Sequence, residues 1–225
     1  MIVKKGYTKL KIPHEGGELT FQYPAFKGTY GNVANEIDKA GLKRPNSSET
    51  ASLVYEAWKN PKGEKEPYFS EIISILKNHW LWEFTGNLYL PKSNDEINNG
   101  VILETNPKIK NGKLVMNKNS LVKRLKENDS LVKFVPFGYK TGEQSPKKLA
   151  ENKYIIARYG EQGAEKIAKI TLKYKNQPNV YSFNSVDEEK IRMSALGNGW
   201  IFNRLNVNGN KCDDNDNGHA FGIKK

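Results

Sequence analysis

The side chains that could do chemistry are few in this sequence, and most stand apart. Its three histidines, His14, His79 and His219, show neither HxxxH nor HExxH spacing. A metal-hydrolase helix, which needs two histidines one turn apart, is therefore not expected. A single cysteine, Cys212, allows neither an intramolecular disulfide nor a thiolate zinc cluster. With no second cysteine and no nearby histidine pair it makes a poor nucleophile. Glu188-Glu189 reads as a solvated acidic pair ahead of a strand. Asp213-Asp-Asn215-Asp-Asn217-Gly218 matches the first six positions of an EF-hand calcium loop. The twelfth position, which should be a bidentate glutamate, is Lys224, and no exit helix can follow. No pair of acids, triad or phosphate loop stands out, so no enzyme, metal or cofactor is expected.

What does stand out is a change of composition near the C-terminal end. The twenty residues from Asn198 to Asn217 hold seven asparagines, three aspartates and one lysine, Lys211. Asn, Asp and Gly favour turns and irregular backbone, because their side chains bond locally and tolerate left-handed φ. Trp200, Phe202 and Leu205 punctuate the run, and Ala220-Phe-Gly-Ile223 closes it as a short apolar strand. The segment reads as a long irregular excursion pinned at both ends to a sheet, a common design for a binding loop.

The elements that must hold this segment are short and mixed. Lys9–Ile12 and Glu18–Tyr23 read as strands about a Gly16-Gly17 turn. Helical spacing runs over 31–40 through Val33, Ile37 and Ala40 and stops at Gly41. Asn46-Ser-Ser-Glu49 resembles a capping box opening a helix with Ala51, Val54, Ala57 and Trp58 on one side; Asn60-Pro61-Lys-Gly63 ends it. Pro67 starts another, with Phe69, Ile72, Ile73 and Leu76 at core spacing. The apolar block Trp80–Phe84, a turn at Gly86-Asn87 and Leu88–Leu90 predict a central strand or hairpin whose tryptophans pack in the core. Strands are expected at Gly100–Glu104, Leu114–Met116, Leu131–Phe137, Val180–Phe183 and Lys190–Ala195, with a short helix near Leu121–Leu125. Ser145-Pro146 caps a further helix, and Ala164, Ile167, Ala168 and Leu172 mark the clearest amphipathic one. This order predicts the α+β class.

At 225 residues with 11% aromatics, the chain can bury a core without staples. No stretch reaches the ~20 apolar residues of a membrane span. Met1-Ile-Val-Lys-Lys-Gly has no apolar run behind its lysines, so no secretory signal is read, leaving a cytoplasmic location or surface or virion display by another route. The net charge of +11 raises nucleic acid as the alternative partner. Only five of the 36 basic residues are arginine, however, and the lysines alternate with acids, which favours a solvated Lys/Glu surface.

Trp200 after Gly-Asn-Gly, the Asn-rich run and the closing Gly218-His-Ala-Phe-Gly222-Ile together resemble the end of a variable protein of a diversity-generating retroelement. The Lys-rich composition and the segments Asn46–Trp58 and Trp80–Pro91 resemble the archaeal members. The resemblance implies a C-type-lectin fold with short strands, a few helices and the C-terminal excursion closed by a final strand. It also implies a 3′ gene end rewritten by misincorporation opposite adenines. Asn codons mutated in this way sample many side chains but never Trp, Met, Lys, Glu or Gln. From Gly197 to Asn217 only Trp200 and Lys211 fall outside the accessible set.

On that resemblance 1–225 forms one lectin-like domain, with an N-terminal elaboration over about 1–79 and a variable region at about 195–218. The implied contact residues are Gly197, Gly199, Ile201, Asn203, Asn206, Asn208, Asn210, Cys212, Asp213, Asn215, Asp216 and Asn217, around the scaffold anchors Trp200, Phe202 and Phe221. The implied function is ligand binding of changeable specificity, toward a macromolecular or surface ligand, with protein expected ahead of nucleic acid. Lectin-type calcium sites pair a Glu/Gln-Pro-Asn/Asp tripeptide with Trp-Asn-Asp. Gln177-Pro-Asn179 matches the first half, but Ile201-Phe202 follows Trp200, so no sugar-bound calcium is expected.

Overall fold

The computed structural model describes residues 8–60, 67–199, 203–212 and 217–225. Trp200, Ile201, Phe202, Asp213, Asn215 and Asp216, with most of the EF-hand-like run, lie outside the described residues, as do the Met1–Gly6 segment and Pro61–Gly63.

The spine is β4 (Trp80–Leu90), eleven residues long and buried on both faces. It pairs antiparallel with β11 (Lys190–Gly199) along one side. On the other side it takes β13 (Gly218–Ala220) in parallel at its start and β5 (Gly100–Thr105) antiparallel along its second half. From β11 the sheet continues through β12 (Arg204–Lys211), β10 (Asn179–Tyr181) and β9 (Gly142–Glu143). From β13 it ends on β3 (Phe26–Gly28), and from β5 on β8 (Val132–Pro136). Two hairpins stand beside this nine-stranded sheet: β1 (Thr8–His14) with β2 (Gly17–Tyr23), and β6 (Lys108–Lys110) with β7 (Lys113–Val115).

Helices cover both faces. The larger core sets α2 (Ser47–Lys59), α3 (Tyr68–Asn78), α5 (Pro146–Ala150) and α6 (Lys153–Thr171) against Leu81, Tyr89, Leu196, Leu205 and Val207. On the opposite face α1 (Tyr30–Lys39) packs Val33 and Ile37 against Trp82, Phe84, Met193 and Ala195. α4 (Lys118–Lys126) closes a third cluster over Leu88, Leu90 and Ile102. The expected capping box is formed at α2: the Asn46 side chain accepts from Glu49 N and Glu49 bonds back to Asn46 N. Gly160, at φ +72°, breaks α6 into two stretches, and the amphipathic pattern after it forms the second.

Two expectations are corrected. Gly86-Asn87 is not a turn but the middle of β4. Here β4 bulges against β11, with Phe84–Gly86 facing the single residue Met193 between the Glu83–Ser194 and Asn87–Arg192 pairs, and the Asn87 amide donates to Arg192 O (3.2 Å) and Ser194 Oγ (2.9 Å), mending the ladder at the irregularity. A Cβ on Gly86 would come within 2.7 Å of Met116 Sδ, so glycine is there for close packing. The Asn-rich segment, in turn, is not a long irregular excursion, because eight of its residues form β12. Leu205 and Val207 point into the core every second residue, and β10 and β11 satisfy the backbone on both sides. Paired neighbours and alternate burial outweigh the turn preference of Asn.

The tail after β13 is also held. Ile223 exchanges backbone hydrogen bonds with Lys43 (2.8 and 2.9 Å), and Gln22 N donates to Gly222 O (2.8 Å). Phe221, expected as an anchor, is 1% exposed in the main core.

Candidate functional site

Strand β12 has two unlike faces. Leu205 and Val207 are completely buried against the helical layer, and Gly209 lies under Tyr154. Arg204, Asn206 and Asn208 alternate with them and share the other face. Register carries that face across the sheet: Glu143 of β9, Asn179 of β10, Asn206, Gly197 of β11 and Trp80 of β4 stand opposite one another in one row. In the next row lie Tyr181, Asn208, Ala195 and Trp82. Side chains in register sit within reach of their neighbours, so a substitution on β12 is felt mainly within these rows.

The contact candidates occupy different depths. Asn203 is exposed at left-handed φ (+43°), and its carbonyl accepts from Asn176 N at 3.2 Å. Asn208 is half-buried and its side chain accepts from Asn210 N at 2.8 Å. Asn210 Oδ1 accepts from Arg192 Nε at 3.1 Å. Cys212 is a free, exposed thiol, and Asn217 is exposed. Gly199 pairs in register with Arg204 at the end of the hairpin. Gly197 and Asn206, by contrast, are buried. A Cβ on Gly197 would come to 2.9 Å from both His79 O and a Trp80 ring carbon. Asn206 is 4% exposed, and its Oδ1 has no hydrogen-bond partner among the described residues.

Charged and aromatic residues join the asparagines on the same face. Arg204 pairs with Glu143 across the strand edge, and Lys211 Nζ lies 4.4 Å from the Trp80 ring centroid. Tyr181, beside Asn208, is 46% exposed. Sequence reasoning missed Tyr181, Glu143 and Arg192. The available signal was the alternation of Leu205 and Val207 with asparagines, which marks a strand and hence neighbours on both sides.

Reactive groupings are sparse. The His79 and His219 rings are 4.9 Å apart, and burial, then the His79 and Lys27 charges, push the His219 imidazole down to about 4. Among the described residues no group of three or more His, Cys, Asp or Glu could hold a metal ion. The deeply buried ion pair, Glu83 with Arg158, is structural: Arg158 also donates to Ser47 Oγ (3.1 Å) and Tyr154 OH (3.3 Å), tying α6 to α2 and β4. Desolvation raises the Glu83 carboxyl above its ordinary range, opposed by the Arg158 charge.

The fold these elements build is the C-type lectin fold. A solved structure described as the accommodation of massive sequence variation in Nanoarchaeota by the C-type lectin fold superposes on it with a TM-score of 0.60. The match covers 89% of this chain and 98% of that one at 14% identity. No family model matches the chain, and no curated protein matches its sequence. Among the described residues no helix is long and apolar enough to cross a membrane.

Proposed function

We propose that this chain is a non-enzymatic binding protein whose C-terminal face is rewritten by a retroelement to change its specificity. One observation carries the reading: β12 puts its core contacts, Leu205 and Val207, on one face and the polar side chains of Arg204, Asn206 and Asn208 on the other. Side chains on the second face can change while the first keeps the backbone in place, since surface substitutions usually cost within about 0.5 kcal/mol. The described fold neighbour supports it, being a lectin-fold structure characterised by massive sequence variation.

On this proposal Asn203, Asn208, Asn210, Cys212 and Asn217 are the exposed or half-exposed contact positions. Gly199, Ile201, Asp213, Asn215 and Asp216 complete the set by sequence, and Gly197 and Asn206 vary only within the space their packing leaves. The whole chain acts as one domain, with about 1–79 as elaboration and about 195–218 as the variable region. The partner is a protein surface: Asn, Tyr and Ser-like side chains on a rigid frame supply adaptable hydrogen bonds and contact area, as in antibody paratopes.

Sequencing the gene's surroundings tests the diversification. The expected result is a near-copy of the codons for roughly 195–218, differing at adenines, beside a reverse-transcriptase gene. Absence of both from the intact locus refutes it.

A further inference from the structure

The helical layer, away from the C-terminal face, carries a cavity of about 320 Å³ lined by Tyr55, Trp58 and Lys59 of α2 and by Lys169, Ile170 and Lys173 at the end of α6. That size falls at the lower end of small-molecule sites. Half of its lining is aromatic or apolar, Tyr55, Trp58 and Ile170, with Trp58 braced by the Tyr174 ring at 5.8 Å. The remaining lining is three lysines, with no carboxylate among the described lining residues.

Among the described residues the charge there is poorly neutralised. Lys169 meets Glu165 at 3.6 Å in an exposed pair, which screens it little. Neither Lys59 nor Lys173 has an ion pair among the described residues. A fourth ammonium, Lys77 Nζ, stands 5.1 Å from the Trp58 ring centroid. One basic residue in the last turn of each helix, Lys59 for α2 and Lys169 for α6, complements the helix dipole. Lys173 in the cavity lining and Lys77 over the Trp58 ring come on top of that, a surplus of positive charge that an anion would offset.

We propose that this cavity binds a small organic anion with a flat apolar ring, an aryl carboxylate or aryl phosphate. The ring lies against Tyr55, Trp58 and Ile170, and the acidic group reaches the Lys59, Lys169 and Lys173 ammoniums, where charge-assisted bonds are strongest. The proposal is independent of the C-terminal face and of any diversification.

The chain has four tryptophans, so its indole N–H signals are few, and Trp58→Phe assigns the relevant one by NMR. Benzoate and phenyl phosphate are titrated separately, with benzyl alcohol as the uncharged control. The proposal expects a saturable shift of the Trp58 signal with at least one anion, weaker by about tenfold or more with benzyl alcohol. The same loss is expected in Lys59→Gln/Lys173→Gln, whose other indole signals stay in place. Which anion binds separates carboxylate from phosphate. No shift with either anion up to ~10 mM, where even a weak small-molecule site registers, overturns it. So does equal binding by benzyl alcohol or by the double variant.

Discussion

Replacing Gly209 with alanine is the sharpest test of a two-faced β12, because its neighbour Asn208 supplies the control. A Cβ on Gly209 would stand 1.7 Å from Tyr154 OH, 2.9 Å from Tyr154 Cζ and 3.1 Å from Asn87 Oδ1. The Tyr154 ring is fully buried and stacked on Tyr139 at 5.0 Å, and its hydroxyl donates to Asn87 Oδ1 at 2.7 Å while accepting from Arg158. Overpacking of this kind costs about 1–3 kcal/mol. Displacing the hydroxyl from a buried hydrogen bond adds about 1–3 kcal/mol. Gly209→Ala therefore loses roughly 2–6 kcal/mol in urea unfolding, a large part of the ~5–15 kcal/mol that holds a domain together. Asn208→Ala, on the other face, loses less than about 1 kcal/mol. Tyr154→Phe removes the closest contact, so the double variant Gly209→Ala/Tyr154→Phe loses less than the two single costs added. Equal losses at 208 and 209, or strict additivity with Tyr154→Phe, would refute the reasoning.

Other expectations follow from the same geometry. Asn206→Val, which removes a buried oxygen with no partner among the described residues, leaves thermal stability unchanged or higher; a loss above ~1 kcal/mol would mean the amide is structurally used. Arg158→Met strands the Glu83 carboxylate inside the core and costs about 3–5 kcal/mol by denaturant titration, whereas the paired change Glu83→Leu/Arg158→Met recovers most of it. Because the folded chain holds His219 near 4, below the 6.5 of a free imidazole, the unfolded state takes the proton first. Stability thus falls as pH drops from about 6.5 to 4, by under ~2 kcal/mol once solvent screening of this partly exposed ring is counted, and His219→Asn flattens that part of the curve.

Much of the fold was legible because local signals and burial agreed. Asn46 and Glu49 mark the start of α2 in the sequence and close both capping bonds in the structure. Alternation predicted β1 and β2, and helical spacing predicted α1 and α3. The misreadings fall where tertiary partners decide. Gly86-Asn87 carries a strong local turn preference, overridden by two flanking strands and by three buried partners for the Asn87 amide. Along β12 the density of asparagine masked a period of two that Leu205 and Val207 still show. Depth was not legible: nothing in composition distinguishes buried Asn206 from half-buried Asn208, since their difference comes from the strands and residues packed across the sheet.

The central claim is that one face of the C-terminal region can change while the fold persists, and that the change alters binding. Two libraries test it directly by display and proteolytic selection. One randomises Asn203, Asn208, Asn210, Cys212 and Asn217 with the codons reachable from AAC and AAT; the other applies those codons to Leu205, Val207, Gly209, Ala220 and Phe221. The account predicts that most of the first library stays folded and yields clones binding different protein targets, while most of the second is degraded. Equal degradation of the two libraries, or a folded first library without a single specific binder, would contradict it.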